Sequence, residues 1–267
     1  MCNVGFIGCG NMGSALAKAV IKSVGGQNVY VCDALEEKAE VFARENYAIA
    51  SDIETIINLC DFVFLAVKPQ MLGSVFAQIN SFSETTRNEY VLVSMAAGVS
   101  ISSLEEMAEK ETAIIRIMPN MPVAVGKGTV LYSGNSFVDE NAFEQFREIM
   151  KYAGFLDELE ESKIDGATCI SGCGPAFAFM FCEALADGGV GCGLPRDKAM
   201  IYAAQTLLGS ALMLIETGEH PGALKDAVCS PAGSTIEGVR ALENGGFRAA
   251  TAEAVRKAYE RTLELGK

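Results

Sequence analysis

The glycine-rich segment at the N-terminus constrains the fold more than any other feature of this chain. A short apolar run leads directly into Gly8-Cys9-Gly10-Asn11-Met12-Gly13, and an amphipathic stretch over Asn11–Val24 follows. This G-x-G-x-x-G spacing is typical of a strand that turns tightly into a helix. In such a turn Gly8 permits the bend, Gly10 lets the backbone approach a pyrophosphate, and Gly13 lets the helix pack closely on the strand. The segment therefore predicts a dinucleotide site at a helix N-terminus, where the dipole favours anions.

An acidic residue follows at the spacing that dinucleotide-binding folds use. The predicted second strand, Asn28–Asp33, ends in a carboxylate 20 residues past Gly13, where it reaches the adenosine ribose hydroxyls. The alternative is a glycine-rich turn in another kind of α/β protein. Because strand, loop, helix and acid occur together, the pattern favours dinucleotide binding.

The overall composition limits the partners of the chain. Its 267 residues suit one large or two moderate domains. Half of them are hydrophobic and 21% are charged, which indicates surface buried between subunits. The net charge of −13 argues against binding to nucleic acid or to an anionic membrane, since both attract basic patches. No uncharged apolar run has the length and pattern that demand a membrane.

Cysteine and histidine usage argues against a metal site. The chain has nine cysteines without a C-x-x-C pair, and His220 is its single histidine. The spacings of zinc ligands are therefore absent, and thiols of this kind are typical of a reducing compartment. We expect a cytoplasmic protein with no bound metal.

The first part of the chain alternates between strand-like and helix-like segments. The predicted strands are Asn3–Ile7, Asn28–Asp33, Asp61–Val67, Tyr90–Met95, Ala113–Met118 and Gly128–Ser133. The predicted helices between them are Asn11–Val24, Leu35–Asn46, Asp52–Leu59, Gln70–Ile79 and Ile101–Glu109. This rhythm indicates βαβ units and a mostly parallel sheet. The fold class is therefore α/β, with a Rossmann-type dinucleotide-binding domain over residues 1–161.

The second part of the chain has no strand-like pattern and predicts an all-α domain over residues 162–267. Its helical segments are Ile164–Gly189, Pro195–Thr217, Ser234–Glu243 and Phe247–Leu265. Over Ala203–Ile215 the apolar residues cover nearly the whole circumference, which is the pattern of a helix buried on all sides. A small helical domain cannot bury several such helices alone. We therefore expect an intertwined dimer.

Small, proline and amide residues follow three of the predicted strands. These segments are Lys68–Gln70, Ala96–Gly98 and Pro119–Pro122. Open α/β sheets bind ligands at the carboxyl ends of their strands, and small residues there let a nicotinamide ring lie against the backbone. Each segment alone is also consistent with an ordinary βα turn. Lys68 could serve as a catalytic acid, a phosphate ligand or a solvated side chain, and its place favours a cofactor contact.

Two segments of the helical half also suggest binding. Ser171–Ala176 carries two glycines and a proline inside a helical pattern, which predicts a kink or a broken helix start. Ser230–Glu237 predicts a loop and a new helix whose first N–H groups could hold a carboxylate. The alternative, a capping box between Ser234 and Glu237, is favoured by the spacing alone. His220 could be a general base, but its place before Pro221 favours a structural turn.

Several segments, in order along the chain, closely resemble the pyrroline-5-carboxylate reductases. They are Phe6–Gly13, Ala66–Pro69, Ser94–Val99, Met118–Asn120, Ser171–Ala176, His220–Asp226 and Ser230–Glu237. The resemblance implies hydride transfer from a nicotinamide to the C=N carbon of 1-pyrroline-5-carboxylate, which gives L-proline. It also implies a helical dimerisation domain and, in many relatives, pentamers of dimers, so that a homodimer assembling into a homodecamer is expected.

The resemblance carries over to individual site residues. The substrate carboxylate would bind the N–H groups of Ser234 and Thr235 beside Gly233, with help from Ser230. The Thr235 hydroxyl would hydrogen-bond the ring nitrogen, and Glu161 matches a position near bound proline. The expected cofactor-binding residues are Ile7, Gly8, Cys9, Gly10, Asn11, Met12, Asp33, Val67, Lys68, Pro69, Gln70, Ala96, Ala97, Gly98 and Asn120.

One departure from the family concerns the choice of cofactor. Asp33 stands where many relatives carry a small neutral or hydroxyl residue suited to the 2′-phosphate of NADPH. A carboxylate there would repel that phosphate and bind free ribose hydroxyls. We therefore expect a preference for NADH, with NADPH as the alternative.

Two other classes of protein have the same predicted architecture. A β-hydroxyacid dehydrogenase, or an oxidoreductase acting on another imine, is the enzymatic alternative. The former would resemble sites with a catalytic lysine on the first helix of the second domain, and Ser171–Cys182 contains none. A non-catalytic dinucleotide sensor is the second alternative, against which the intact Ser230–Glu237 segment argues.

Overall fold

The computed structural model describes residues 2–82, 90–108 and 111–265. Its internal contacts divide the chain into two compact units. The first comprises residues 1–172 and 259–267, and the second comprises residues 173–258. The unit boundary follows Gly172, whereas the strand pattern of the sequence places the end of the first domain at residue 161.

The first unit contains one eight-stranded sheet. Its strands are β1 Val4–Ile7, β2 Val29–Cys32, β3 Ile49–Ala50, β4 Phe62–Leu65, β5 Val91–Ser94, β6 Ala113–Pro119, β7 Gly128–Gly134 and β8 Gly154–Glu158. They lie in the order β3-β2-β1-β4-β5-β6-β7-β8. All neighbouring strands pair in parallel except β6 and β7. The order reverses direction at β1 and β4, which is the switch point where open α/β sheets bind ligands.

Helices cover both faces of this sheet. They are α1 Asn11–Val24, α2 Glu36–Asn46, α3 Ile53–Leu59, α4 Leu72–Ser81, α5 Ile101–Ala108, α6 Glu140–Met150 and α7 Glu161–Ser171. Phe62 and Phe64 pack in one core with residues of α1, α2 and α6. Val63 and Leu65 pack in a second core with residues of α3, α4 and α5. The continuous apolar run of β4 follows from this double burial, since alternate residues face opposite sides of a strand.

The structure confirms the α/β class and the predicted elements of the first unit, with ends shifted by one or two residues, as is usual for element ends. Glu109, the predicted end of α5, lies outside the described residues. The sequence analysis missed β3, β8 and α6. β3 has only two residues, and β8 carries Asp157 and Glu158 within its pattern. Both lie at sheet edges, where one side needs no apolar pattern.

The described residues of the second unit form helices and connecting loops, without a strand. Its helices are α8 Gly174–Gly191, α9 Arg196–Thr217, α10 Pro221–Val228, α11 Ser234–Asn244 and α12 Phe247–Leu265, the last continuing into the residues grouped with the first unit. The predicted single helix over Ile164–Gly189 is interrupted after Ser171, which confirms the broken helix start expected there. Pro175 lies in the first turn of α8, where its missing N–H costs no helical hydrogen bond.

Burial of α9 differs from the sequence-based expectation. Ala203 is buried, but Ile201 and Ile215 are 59% and 78% exposed. Within one chain, α9 is thus not buried on all sides, because the residues that it buries against α8 are mainly the small Ala199 and Ala203. A large exposed apolar surface of this kind is typical of a subunit interface.

Two helical segments of the chain are long and mostly apolar. Among the described residues, Glu161–Gly191 and Arg196–Thr217 are long and apolar enough to cross a bilayer by length and composition, with 17% and 11% of the most apolar window buried. A helix that forms a subunit interface has the same length and composition. Each segment contains charged residues, such as Glu183 and Arg196, so neither is an uninterrupted uncharged run.

Candidate functional site

The glycine loop between β1 and α1 has the geometry that its sequence predicts. Gly8 has φ +110°, and a Cβ atom there would lie 2.5 Å from the Ala66 carbonyl oxygen. A Cβ atom on Gly13 would lie 2.4 Å from the Gly8 carbonyl oxygen, so only glycine allows α1 to approach the strand this closely. Gly10 faces open space, with no described heavy atom within 4 Å of a Cβ position. The loop is therefore closed toward the sheet and open toward a ligand.

The N-terminus of α1 offers free N–H groups to that open side. Gly10 is the N-cap with extended backbone, and no side chain of the described residues caps it. The first N–H groups of a helix have no intrahelical acceptors. They point outward with the positive end of the helix dipole, which suits the pyrophosphate of a dinucleotide.

Asp33 has a structural role that the sequence did not reveal. Its Oδ2 accepts the Cys9 N–H at 2.7 Å, and its Oδ1 accepts the Leu35 N–H at 3.0 Å. The carboxylate therefore ties the glycine loop to the segment after β2. The Cys9 N–H is engaged by this bond, which leaves the following N–H groups for phosphate.

The Cys9 thiol beside this carboxylate is not a nucleophile. Burial, followed by the charge of Asp33, raises the pKa of Cys9 to about 11. A thiol with so high a pKa carries almost no thiolate near neutral pH. Cys9 therefore contributes its backbone and its bulk to the loop.

Two cavities lie at the carboxyl ends of β1, β2 and β4. One of about 510 Å³ brings together six of the predicted cofactor residues, Ile7, Gly8, Gly10, Asp33, Val67 and Lys68. The other, of about 820 Å³, adds Cys9 and Asn11. Their volumes are in the range of ligand sites. The open Gly10, the uncapped α1 and this lining fit a dinucleotide.

Additional lining residues escaped the sequence analysis. They include Ser51, Asp52, Ile53, Ser74 and Gln78. The first three follow β3, which has two residues and therefore no recognisable strand pattern. The other two lie on α4. The sequence predicted this helix, but which of its residues face the cavity depends on tertiary packing.

The remaining predicted cofactor residues lie outside both cavities. They are Met12, Pro69, Gln70, Ala96, Ala97, Gly98 and Asn120. Pro69–Met71 forms a 3-10 turn that leads into α4. Ala97 and Gly98 are exposed after β5, and Gly98 has φ +74°. Their role as cofactor contacts stays a prediction.

Asn120 has partners for its amide group within the first unit. Its Oδ1 accepts the Thr129 N–H at 2.8 Å, and its Nδ2 donates to the Ser171 carbonyl at 2.8 Å. The side chain is buried and joins the end of β6 to β7 and to the end of α7. These two hydrogen bonds account for an amide side chain at position 120, and no ligand is needed to explain it.

Glu161 belongs to an ion-pair network around the buried Arg116. Its Oε1 accepts the Ile101 N–H at 2.7 Å and an Arg116 Nη1 hydrogen at 3.0 Å. The other Arg116 nitrogen, Nη2, donates to Asp165 at 2.8 Å. The sequence analysis missed Arg116. Its signal was a charged residue in the middle of the apolar strand β6, which requires buried partners.

The candidate carboxylate site of the second unit lies at the start of α11. Gly233 is the N-cap, with extended backbone and no side-chain cap from the described residues. The capping box between Ser234 and Glu237 is therefore wrong, because the helix begins at Ser234 itself. Glu237 pairs with Arg240 instead, at 3.2 Å. The first N–H groups of α11 thus face outward uncapped, as an anion site requires.

The loop before α11 brings Ser230 to this helix end. The Gly233 N–H donates to the Ser230 carbonyl at 3.0 Å. A Cβ atom on Gly233 would lie 2.3 Å from the Ser230 Oγ, so glycine leaves the room that this hydroxyl occupies. Ala232 has φ +57°, a left-handed conformation that costs a non-glycine residue about 1 kcal/mol. The strained turn gathers Ser230, Ser234 and Thr235 at one exposed point.

His220 has a structural role, as its position suggested. It is the N-cap of α10, and its Nδ1 accepts the Gly222 N–H at 3.0 Å. An acceptor nitrogen held in this way is a helix cap. No group of three or more metal-binding side chains occurs in the described part of the chain.

Comparisons with known proteins match both halves of the chain. Residues 161–265 match the family model described as pyrroline-5-carboxylate reductase dimerisation. Residues 3–98 match the model described as NADP oxidoreductase, coenzyme F420-dependent. The two models cover the helical half and the part of the sheet that contains the glycine loop.

Full-length relatives and solved structures agree with these matches. The pyrroline-5-carboxylate reductases of Escherichia coli and Methanosarcina acetivorans are 39% and 40% identical, each over 99% of this chain and 98% of the relative. A Plasmodium falciparum pyrroline carboxylate reductase with NADP bound is 32% identical, with a TM-score of 0.87 over 100% of this chain and 98% of that one. A Coxiella burnetii pyrroline-5-carboxylate reductase is 29% identical, with a TM-score of 0.91 over 100% and 99%. The chain therefore belongs to the pyrroline-5-carboxylate reductase family.

Proposed function

We propose that this chain is a pyrroline-5-carboxylate reductase, which reduces 1-pyrroline-5-carboxylate to L-proline in the last step of proline biosynthesis. The observation that carries the proposal is the uncapped start of α11 with the Ser230 hydroxyl beside it. This helix end belongs to one of the segments in which the chain resembles the family. A substrate with one carboxylate and no phosphate suits a single helix end of this kind.

The substrate carboxylate binds the backbone N–H groups of Ser234 and Thr235 beside Gly233. The Ser230 hydroxyl donates a further hydrogen bond to it. These donors are fixed before the substrate arrives, because the turn through Ala232 and the helix hold the backbone. Preorganised donors of this kind lower the cost of ordering the ligand.

The Thr235 hydroxyl hydrogen-bonds the ring nitrogen and sets the orientation of the C=N bond. A threonine hydroxyl is too weak an acid to protonate a substrate, and this imine is protonated easily by solvent. The reaction therefore needs alignment more than acid catalysis. The assignment of Glu161 to the surroundings of the bound substrate belongs to the same proposal.

On the first unit, Gly10, Asn11 and Met12 hold the pyrophosphate with their N–H groups, and Asp33 faces the ribose. Lys68 lines the 510 Å³ cavity, where its ammonium group attracts the negative charge of the nucleotide. Ala96–Gly98 receive the nicotinamide half. When bound, the reduced dinucleotide supplies the hydride for the C=N carbon.

A single assay tests the proposed function. Purified protein is mixed with NADH and 1-pyrroline-5-carboxylate, and the absorbance of the reduced cofactor is followed. We expect decay that depends on both protein and substrate, with stoichiometric L-proline. Binding of NADH without decay would identify a dinucleotide sensor instead. Decay with a β-oxo acid, the oxidised partner of a β-hydroxyacid, but not with the imine would identify a β-hydroxyacid dehydrogenase.

We further propose that NADH is preferred over NADPH. The Asp33 carboxylate lines the 510 Å³ cavity and has both oxygens fixed by N–H groups, and a second negative charge brought close to it costs several kcal/mol. We expect kcat/KM for NADH to exceed that for NADPH about 10-fold or more, and Asp33→Asn to reduce this ratio about 10-fold.

A neighbouring acid provides the control for the cofactor preference. Asp52 lines the same cavity and caps α3 by accepting the Thr55 N–H at 2.7 Å. This hydrogen bond lowers the pKa of Asp52 below its ordinary value, so the group is charged at neutral pH. Asp52→Asn should change the ratio of kcat/KM for NADH to that for NADPH less than about 2-fold, since the Asp52 carboxylate already accepts a hydrogen bond as the cap of α3. A wild-type preference for NADPH would disprove the assignment of Asp33.

We also propose a homodimer that assembles into a decamer in the cytoplasm, with residues 162–267 as the dimerisation and substrate domain. The exposed apolar surface of α8 and α9 supports the dimer. Light scattering should give a mass near ten times the 28.3 kDa of one chain, and a mass near 28.3 kDa would contradict any oligomer. Cell fractionation tests the location.

A further inference from the structure

We infer that Glu161 is a positioning residue for the nicotinamide side of the dinucleotide site. It acts through its hydrogen bond with the Ile101 N–H, which holds the end of the loop formed by residues 95–100. The inference rests on the proposed function, in which Ala96–Gly98 of this loop receive the nicotinamide half. It concerns the dinucleotide and needs no contact between Glu161 and substrate.

The loop has weak bonds of its own. The Ala96 N–H lies 3.4 Å from the Ser94 Oγ, and the Val99 N–H lies 3.4 Å from the Ala96 carbonyl. Both distances are beyond the usual range of 2.7–3.2 Å for N–H···O bonds. Ala97 and Gly98 are exposed, and Gly98 has φ +74°. Ser100 bonds α5 more closely, since its Oγ accepts the Ser103 N–H at 3.1 Å and its carbonyl accepts the Leu104 N–H at 3.0 Å. Residues 96–99 have the weaker contacts, so the middle of the loop is held loosely by its own bonds.

A charged anchor for the end of the loop comes from Glu161, which is sixty residues from Ile101 in sequence. Its Oε1 accepts the N–H of Ile101 at 2.7 Å, at the point where the loop ends and α5 begins. A bond from a backbone N–H to a carboxylate is charge-assisted and about twice as strong as a neutral one. It also places a negative charge at a helix N-terminus, which the helix dipole favours. Glu161 and Ser100 thus hold the end of the loop together.

Arg116 holds Glu161 in this position. It lies on β6 directly beside Ser94, the last residue of β5, and is 4% exposed. Its Nη1 binds the same Oε1 at 3.0 Å, while Nη2 binds Asp165 at 2.8 Å. Its Nε has no partner among the described residues, so the two carboxylates are the groups that compensate its charge. A buried cation between two carboxylates fixes their geometry.

The two carboxylates make the inference testable, because they share Arg116 but differ in one contact. Asp165 pairs with Arg116, whereas Glu161 pairs with Arg116 and also accepts the Ile101 N–H. Glu161→Ala removes both contacts. Glu161→Gln keeps an oxygen for the N–H and removes the charge. Asp165→Ala removes an ion pair and leaves the loop anchor in place.

The readout is binding, measured by isothermal titration calorimetry with NADH and with ADP-ribose, a probe that lacks the nicotinamide. We expect Glu161→Ala to raise the Kd for NADH about 10-fold and to change the Kd for ADP-ribose less than about 2-fold, as for the loss of one hydrogen bond to a charged group. Glu161→Gln should stay within about 3-fold for NADH, and Asp165→Ala within about 2-fold. Unchanged ADP-ribose binding also shows that the variant is folded.

Three results would overturn the inference. Equal effects of Glu161→Ala and Asp165→Ala on NADH binding would mean that the ion pairs act through stability alone. Equal weakening of NADH and ADP-ribose would mean a general disturbance of the sheet. A change confined to the KM for the imine would make Glu161 a substrate contact. Failure of the proposed function is separate, since it appears as absent turnover in the wild-type protein.

Discussion

Thr235→Ala is expected to lower kcat about 100-fold while the KM for NADH changes less than about 2-fold, the range seen when one preorganised donor is removed from an active site. The hydroxyl orients the ring nitrogen, so its loss misaligns the C=N carbon without touching the dinucleotide. Steady-state kinetics with each substrate varied in turn measures both parameters. Equal losses in kcat and in NADH affinity would refute the assigned role.

Two variants control this experiment. Thr235→Ser keeps the hydroxyl and should recover most of the lost rate. Thr251→Ala removes a hydroxyl from an exposed threonine of α12 that bonds the Phe247 carbonyl at 2.8 Å, and it should leave kcat unchanged. Together they separate loss of the hydroxyl from loss of a methyl group or from a general effect on a helix.

Arg116→Ala is expected to lower the free energy of unfolding by about 3 kcal/mol, because it leaves Glu161 and Asp165 without their cation. Both carboxylates are about one-third exposed, so water solvates part of their unpaired charge in the variant. The loss of stability therefore lies at the low end of the range for a buried ion pair. For a chain of this length the melting temperature should fall by about 6–12 °C. Thermal unfolding followed by circular dichroism measures it.

A surface arginine provides the comparison. Arg147 pairs with Glu140 and Glu158, and all three side chains are 36% exposed or more. Arg147→Ala should cost less than about 1 kcal/mol, since exposed ion pairs contribute little. If both variants lower the melting temperature equally, the burial of Arg116 does not determine its contribution.

The glycine loop and the strands around it were predictable because their signals are local. The φ of +110° at Gly8 and the tight approach at Gly13 follow from spacing along a few residues. The alternation of strands and helices likewise follows from hydrophobic period. Edge elements such as β3 and β8 were missed because they lack a full apolar pattern.

The candidate site was predictable only in part. The sequence pointed to Ser234, but a capping box appeared more probable than an anion site. Helix α11 begins at Ser234 with Gly233 as its cap, and a boundary shift of one residue decides between the two. Such a shift depends on the turn through Ala232, which has a φ of +57°. The conformational preferences of alanine do not predict this value.

The sequence by itself determined the βαβ order, the glycine loop, the acid after β2 and the family resemblance, because each depends on neighbours along the chain. Only the tertiary structure decided that Asp33 binds the Cys9 N–H, that Arg116 pairs with Glu161 and Asp165, and that Glu161 reaches Ile101. The paired groups are separated by 24 to 60 residues. Contacts at such separations form only when the sheet brings strand ends together, which no local pattern encodes.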